Sequence, residues 1–269
     1  MLEALQFEFF RNALYAGLLA SVACGVIGSL VVVNRLVFLA GGVAHAAYGG
    51  VGLAFAFGLP VLPTTVGFSV AASAIMSRLT QNASHRSDAL VGVLWATGMA
   101  LGILCIDLSP GYAADLMSYL FGSILAVPLA DVRLMAVLDA ALIAVVWRFY
   151  TGLLAMSLDS EFASTRGVPV AALHLLLLTM TAVAVVMLIR VVGLILVMAL
   201  LTIPPFIAEP FCKSLARMMV ASTLLAALFC TVGLGLAYAF DLTSGACIIA
   251  VAALGFFLSL PLRRLAAHA

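Results

Sequence analysis

Charge is what this sequence has least of. Only 9% of its 269 residues are Asp, Glu, Lys or Arg, 66% are hydrophobic, and the mean hydropathy is +1.29. So few charges cannot clothe a water-soluble domain, which excludes that class. No GxxxxGK[ST] loop is present, so the chain has no phosphate cradle of its own. GxSxG, HExxH and a His-plus-Asp helix pair are also missing; an intramembrane hydrolase using His45 as base would lack a nucleophile or paired carboxylate. The five cysteines (Cys24, Cys105, Cys212, Cys230, Cys247) show neither CxxC nor paired spacing and read as small packing residues. There is no internal repeat or low-complexity tract to suggest a duplicated carrier or a solenoid. A net charge of +1, with the cations confined to membrane-flanking loops, leaves no nucleic-acid footprint.

What is present is apolar sequence nearly end to end. A spanning helix needs roughly 20 mostly apolar residues, and windows of that kind alternate with short polar breaks. The breaks fall at Asn34-Arg35, 59–63, 77–88, 107–115, 148–170, near Arg190, at 209–217, at Asp241 and at the C-terminal "RRLAAHA". The expectation is an all-α polytopic bundle of about nine (eight to nine) membrane helices, one transmembrane domain over residues 1–269. The first span, residues 12–33, has no small-residue cleavage site after it and reads as retained. When alternate breaks are assigned to opposite sides, Arg35, Arg78, Arg86, Arg148, Arg166, Lys213, Arg217, Arg263 and Arg264 share one side. Arg11, Arg133 and Arg190 take the other. The positive-inside rule makes the first group cytoplasmic, with the N-terminus outside and the C-terminus inside.

Three stretches carry candidate function. In "FLAGGVAHAAYGG" (38–50), His45 falls near the depth of the membrane midplane, and its neighbours at helical spacing are Gly41, Gly42, Tyr48 and Gly49. Such a face either admits a close helix, with one hydrogen bond from the imidazole, or borders a translocation route. Imidazole is a common ligand for zinc, copper, iron and nickel, but a lone histidine is not a metal site. In "SLDSEFASTRGVPV" (157–170), Asp159 is a candidate helix cap, Glu161 a first-turn acid, Gly167 a left-handed terminus and Pro169 a stop. This is either a short cytoplasmic helix offering Phe162 to a partner's groove or a well-capped loop. In "GLILVMALLTIPPFIAEPF" (193–211), Pro204 and Pro205 bend or end a helix, as a gate or as an ordinary terminus. A fourth segment, "DLMSYLFGSIL" (115–125), would pass for an interfacial anchor.

Taken in order, five stretches resemble the zinc-uptake permease family, the membrane subunits of ABC importers for zinc, manganese and iron(II). They are "GSLVVVNRLVFLAGGVAHAAYGGVGLAFAFG" (28–58), "DLMSYLFGSILAV" (115–127), "LDSEFASTRGV" (158–168), "GLILVMALLTIPPFIA" (193–208) and "FDLTSGACIIAVAALGFFLS" (240–259). The resemblance implies a type II ABC importer-like bundle in a bacterial-type inner membrane. It implies a homodimer that binds two cytoplasmic ATPase subunits, which carry the ATP, and that receives a divalent metal from an extracytoplasmic solute-binding protein. It also implies that residues 158–168, with Asp159, Glu161, Phe162, Arg166 and Gly167, are the helix coupled to the ATPase, and that His45 lies on the metal pathway, where Gly41 in place of the family's aspartate would make it a transient ligand rather than a tight one. Two positions depart from the family pattern: Gly41 stands where an aspartate accompanies the histidine, and Phe121-Gly122-Ser123 replaces "FGD". A permease of the same architecture for a metal chelate or a cobalamin-like cofactor is the alternative, because the glycines around His45 would make room for a larger cargo.

Overall fold

In a computed structural model, residues 6–82, 87–109, 122 and 124–266 are described. Among them the chain is nearly all helical, without strands. The long helices are α1 (Glu8–Val33), α2 (Val37–Phe57), α3 (Val61–Asn82), α4 (Ser87–Asp107) and α5 (Leu129–Leu158). After the short α6 (Ser160–Thr165) come α7 (Val170–Val192), α8 (Leu194–Ala208), α9 (Leu215–Phe240) and α10 (Ser244–Ala266). Single 3₁₀ turns occur at Ile124–Ala126 and Glu209–Phe211. Helices are the solution that apolar sequence forces, since lipid offers backbone N–H and C=O groups no partner. Several hydroxyls inside these helices obey the same rule by turning back on their own chain. Ser21 donates to the Gly17 carbonyl at 2.6 Å, Ser29 to Gly25 at 2.7 Å and Thr181 to Leu177 at 2.8 Å.

Seven helices among the described residues are long and apolar enough to cross a membrane, fewer than the eight to nine expected from the breaks. The shortfall is one of composition. Helices α3 and α5 have the length, 22 and 30 residues, but α3 carries Ser69, Ser73, Ser77 and Arg78, and α5 carries Asp131, Arg133, Asp139 and Arg148. The break placed near Arg190 lies at Gly193, where φ is +82°, a value that glycine reaches without the Cβ penalty. Two other reversals use left-handed residues with side chains, Arg35 at φ +57° and Asp241 at φ +51°.

The chain divides into two compact units, one of Met1–Val32, Met117–Arg148 and Leu188–Ala269, the other of Val33–Leu116 and Phe149–Met187. The first is built on close helix packing at α1. A Cβ on Gly25 would run into Thr223 of α9. At Gly28 it would strike the Leu201 carbonyl of α8, which Pro205, lacking an N–H, leaves without its helical donor. Ser29 and Ser222 add a hydroxyl pair at 3.2 Å, and Arg190 meets Asp131 at 3.2 Å. Within the second unit, α2 is packed between α3 and α4. Small residues let the backbones approach, as in small-xxx-small membrane packing.

Candidate functional site

Helix α2 begins at Val37, so His45 stands about 12 Å along it at 1.5 Å per residue. From Leu39 to Gly52 every residue is buried except His45, which is half-buried. Its Nδ1 lies 2.8 Å from the Gly41 carbonyl one turn back. A carbonyl only accepts, so Nδ1 carries the proton and the neutral ring keeps its lone pair on Nε2. The imidazole lies against the indole of Trp95 on α4, with ring centroids 3.8 Å apart and planes at 32°. Trp95 is held in turn: its Nε1–H donates to the Met99 sulfur at 3.2 Å, and Phe38 sits 6.2 Å away, centroid to centroid.

The glycines on this helix are used for close approach. A Cβ at Gly42 would collide with Val91, and one at Gly49 would come within 2.6 Å of the Phe68 ring. At Gly50 it would meet the Thr65 backbone at 2.7 Å, and at Gly52 the backbone of Gly102. Their empty side-chain space is therefore occupied by α3 and α4, and Tyr48 is buried beside them. Room for a larger cargo does not follow from Gly42, Gly49, Gly50 and Gly52. Gly41 contributes its carbonyl to the histidine. Among the described residues no group of three or more His, Cys, Asp or Glu side chains converges to hold a metal.

The second candidate stretch forms a helix of six residues with both ends capped. Asp159 has extended backbone (φ −156°, ψ 103°), and its Oδ1 accepts from the Phe162 N–H at 2.9 Å. At the other end Gly167 is left-handed (φ +80°); its N–H donates to Ser164 at 3.0 Å and the Val168 N–H to Ala163 at 3.1 Å. That pair of bonds is a Schellman motif, which consumes the last carbonyls of the helix. Helix α6 is thus shorter than residues 158–168, the flanks serving as its caps. Phe162 is 58% exposed, and the Arg166 guanidinium carbon sits 5.2 Å from its ring centroid.

Under α6 lies a cavity of about 1210 Å³, lined by the α1–α2 connection, the end of α5 and the start of α7. Asn34 donates to Ser157 at 2.8 Å on its wall, and His174, 3.0 Å from the Ser77 hydroxyl, closes it. In the third stretch, α8 runs through Pro204 and Pro205 to Ala208 before tightening into the 3₁₀ turn; both prolines are buried. Phe121 and Ser123 lie outside the described residues, as does most of the 115–125 segment.

Sequence reasoning missed Trp95, Met99, His174 and Asp139. Trp95 and His174 sit alone in their own helices, and nothing local marks them. Asp139 had a signal, a carboxylate well inside a long helix, and it is only 7% exposed with Oδ2 lacking a hydrogen-bond partner among the described residues.

Comparison with known proteins fixes the setting of these groups. The ABC 3 transport family matches residues 6–263. The chain belongs to that family. An uncharacterized membrane protein of Synechocystis is 48% identical over 264 residues, covering 98% of this chain and 94% of the relative. A manganese transport system membrane protein, MntC of Listeria monocytogenes, is 29% identical over 255 residues, covering 95% and 91%. Among solved structures, PsaBC from Streptococcus pneumoniae in complex with Fab superposes with a TM-score of 0.86 at 30% identity, over 96% of this chain and 93% of that one. An ABC 3 family chain is a multi-pass membrane transport subunit, and this one transports rather than catalyses.

Proposed function

We propose that this chain is the permease subunit of an importer that moves a divalent transition metal inward, driven by ATP hydrolysed on a separate cytoplasmic subunit. The observation that carries the metal reading is His45: a half-open imidazole in the otherwise buried run Leu39–Gly52, with Nδ1–H committed to Gly41 and the lone pair of Nε2 available to a cation. Zinc, manganese and iron(II) are the cargo candidates. A single neutral donor with no carboxylate beside it binds a dication weakly, which suits transit rather than storage.

In this reading the permease works as a homodimer in the inner membrane, with a solute-binding protein outside. Helix α6 presents Phe162, Glu161 and Arg166 to the ATPase, and Asp159 and Gly167 hold it in shape. All nine long helices cross the bilayer, which places the N-terminus outside and the C-terminus, beside Arg263 and Arg264, in the cytoplasm. Gly41, Gly42, Tyr48 and Gly49 shape the wall that holds His45 on the pathway. The prolines of α8 supply its gate: the carbonyls they leave unpaired make that helix easier to deform. The chelate alternative loses its support, since the glycine space is filled by α3 and α4.

The test is uptake by the permease reconstituted with its ATPase and binding protein, offered zinc, manganese and iron(II) in parallel. ATP-dependent uptake of at least one ion, reduced by His45→Ala without loss of assembly, is the expected result. Absence of uptake for every ion, or parental uptake of all of them by His45→Ala, overturns the reading.

A further inference from the structure

We propose that Trp95 is the positioning residue for His45, clamping the imidazole so that Nε2 is the atom presented to a passing cation. The inference rests on the metal-transit reading above and adds to it a residue that sequence spacing did not single out. An imidazole on a helix has two rotatable bonds, and a half-turn about the second exchanges Nδ1 with Cδ2 and Nε2 with Cε1, which breaks the bond to Gly41 and turns the Nε2 lone pair to the other side. One hydrogen bond to Gly41 resists that exchange but does not hold a ring whose edge is open to its surroundings. The indole does, by covering one face at a centroid distance of 3.8 Å.

Trp95 is itself restrained. Its N–H is engaged by the Met99 sulfur one turn along α4, and Phe38, two helical turns before His45, approaches it. The chain of interactions Met99–Trp95–His45–Gly41 is continuous, and each member limits a rotation of the next. It also lies on a rigid base. Around it α2 and α4 meet so closely that a Cβ on Gly98 would come within 2.8 Å of the Ala46 backbone, so the indole and imidazole cannot drift apart by helix separation. Where only one protein donor is available, its orientation controls how much of the bound time is productive. A purely space-filling tryptophan would stabilise the helix pair without altering cation affinity.

The chain has two tryptophans, and the other, Trp147, is 82% exposed. In a Trp147→Phe background Trp95 becomes the sole indole reporter. The full chain in lipid vesicles is titrated with cobalt(II), a paramagnetic quencher, and Trp95 emission is followed. Saturable quenching that disappears in His45→Ala is expected. In the reconstituted complex, Trp95→Leu should raise the KM for cobalt(II) or zinc about three- to tenfold, the scale of one released side-chain rotor. The kcat should change less, and Trp95→Phe should recover most of the loss. Quenching that persists in His45→Ala, or a parental KM in Trp95→Leu, overturns the proposal. If His45→Ala impairs uptake while Trp95→Leu does not, positioning alone fails; if the parental complex moves no divalent ion, the transport reading fails with it.

Discussion

Removing the cap of α6 tests the proposed role of that helix in coupling to the ATPase. With six residues it is far below the length at which a helix holds itself together in water, so its order depends on its ends. Asp159→Ala deletes the 2.9 Å bond from the Phe162 N–H and leaves an orphan donor in the first turn. The loss of such a cap costs about 1 kcal/mol, or about a fivefold larger population of frayed helix. Amide hydrogen exchange at Phe162 and Ala163 should accelerate by a comparable factor. ATP-driven uptake should fall, because the exposed Phe162 is then presented in many orientations. Asp159 is exposed, so the melting temperature in detergent should hardly move. Asp159→Asn should restore both exchange protection and uptake, since asparagine caps equally well. Unchanged exchange and uptake in Asp159→Ala would refute the argument, and an Asp159→Asn variant as poor as alanine would show that charge matters and not the cap.

Gly167→Val acts at the opposite end of the same helix. Nothing lies within 4 Å of the added Cβ, so its penalty is backbone strain at φ +80°, about 1–2 kcal/mol, and it should lower uptake more than Gly167→Asn does. Gly52→Ala should lower the melting temperature of the purified permease by the equivalent of about 1–3 kcal/mol, because the new methyl meets the Gly102 backbone and α2 must move off α4. Gly67→Ala on α3 is the matched control: it meets nothing within 4 Å and should be neutral or slightly stabilising. Asp139→Leu should leave the melting temperature unchanged or higher, since the carboxylate is buried and its Oδ2 has no partner to lose; a clear drop would mean that the carboxylate is compensated in the assembled membrane protein.

What the sequence determined by itself was everything set by neighbours a few residues apart. Hydropathy over about 20 residues fixed the membrane class, and the caps of α6 were legible because Asp159, Phe162, Ser164 and Gly167 lie within two turns of one another. The Pro169 stop and the left-handed Gly167 were local for the same reason. The lone histidine at mid-helix was legible too, since helical spacing places it on one face with Gly41 and Gly49. What covers that face was not, because periodicity gives the direction of a side chain and says nothing of what it meets. An open wall and a close helix crossing share one glycine pattern, and only the approach of α3 and α4 decided that the space is filled. Trp95 over His45, Ser77 on His174 and the burial of Asp139 are decided at that same level. They join residues 50 to 97 positions apart, or enclose one within a bundle, and no window along the chain contains them. The hydropathy of α3 and α5 was lowered by polar and charged groups whose acceptability depends on the helices packed around them, and so the number of crossings was the least legible feature of the fold.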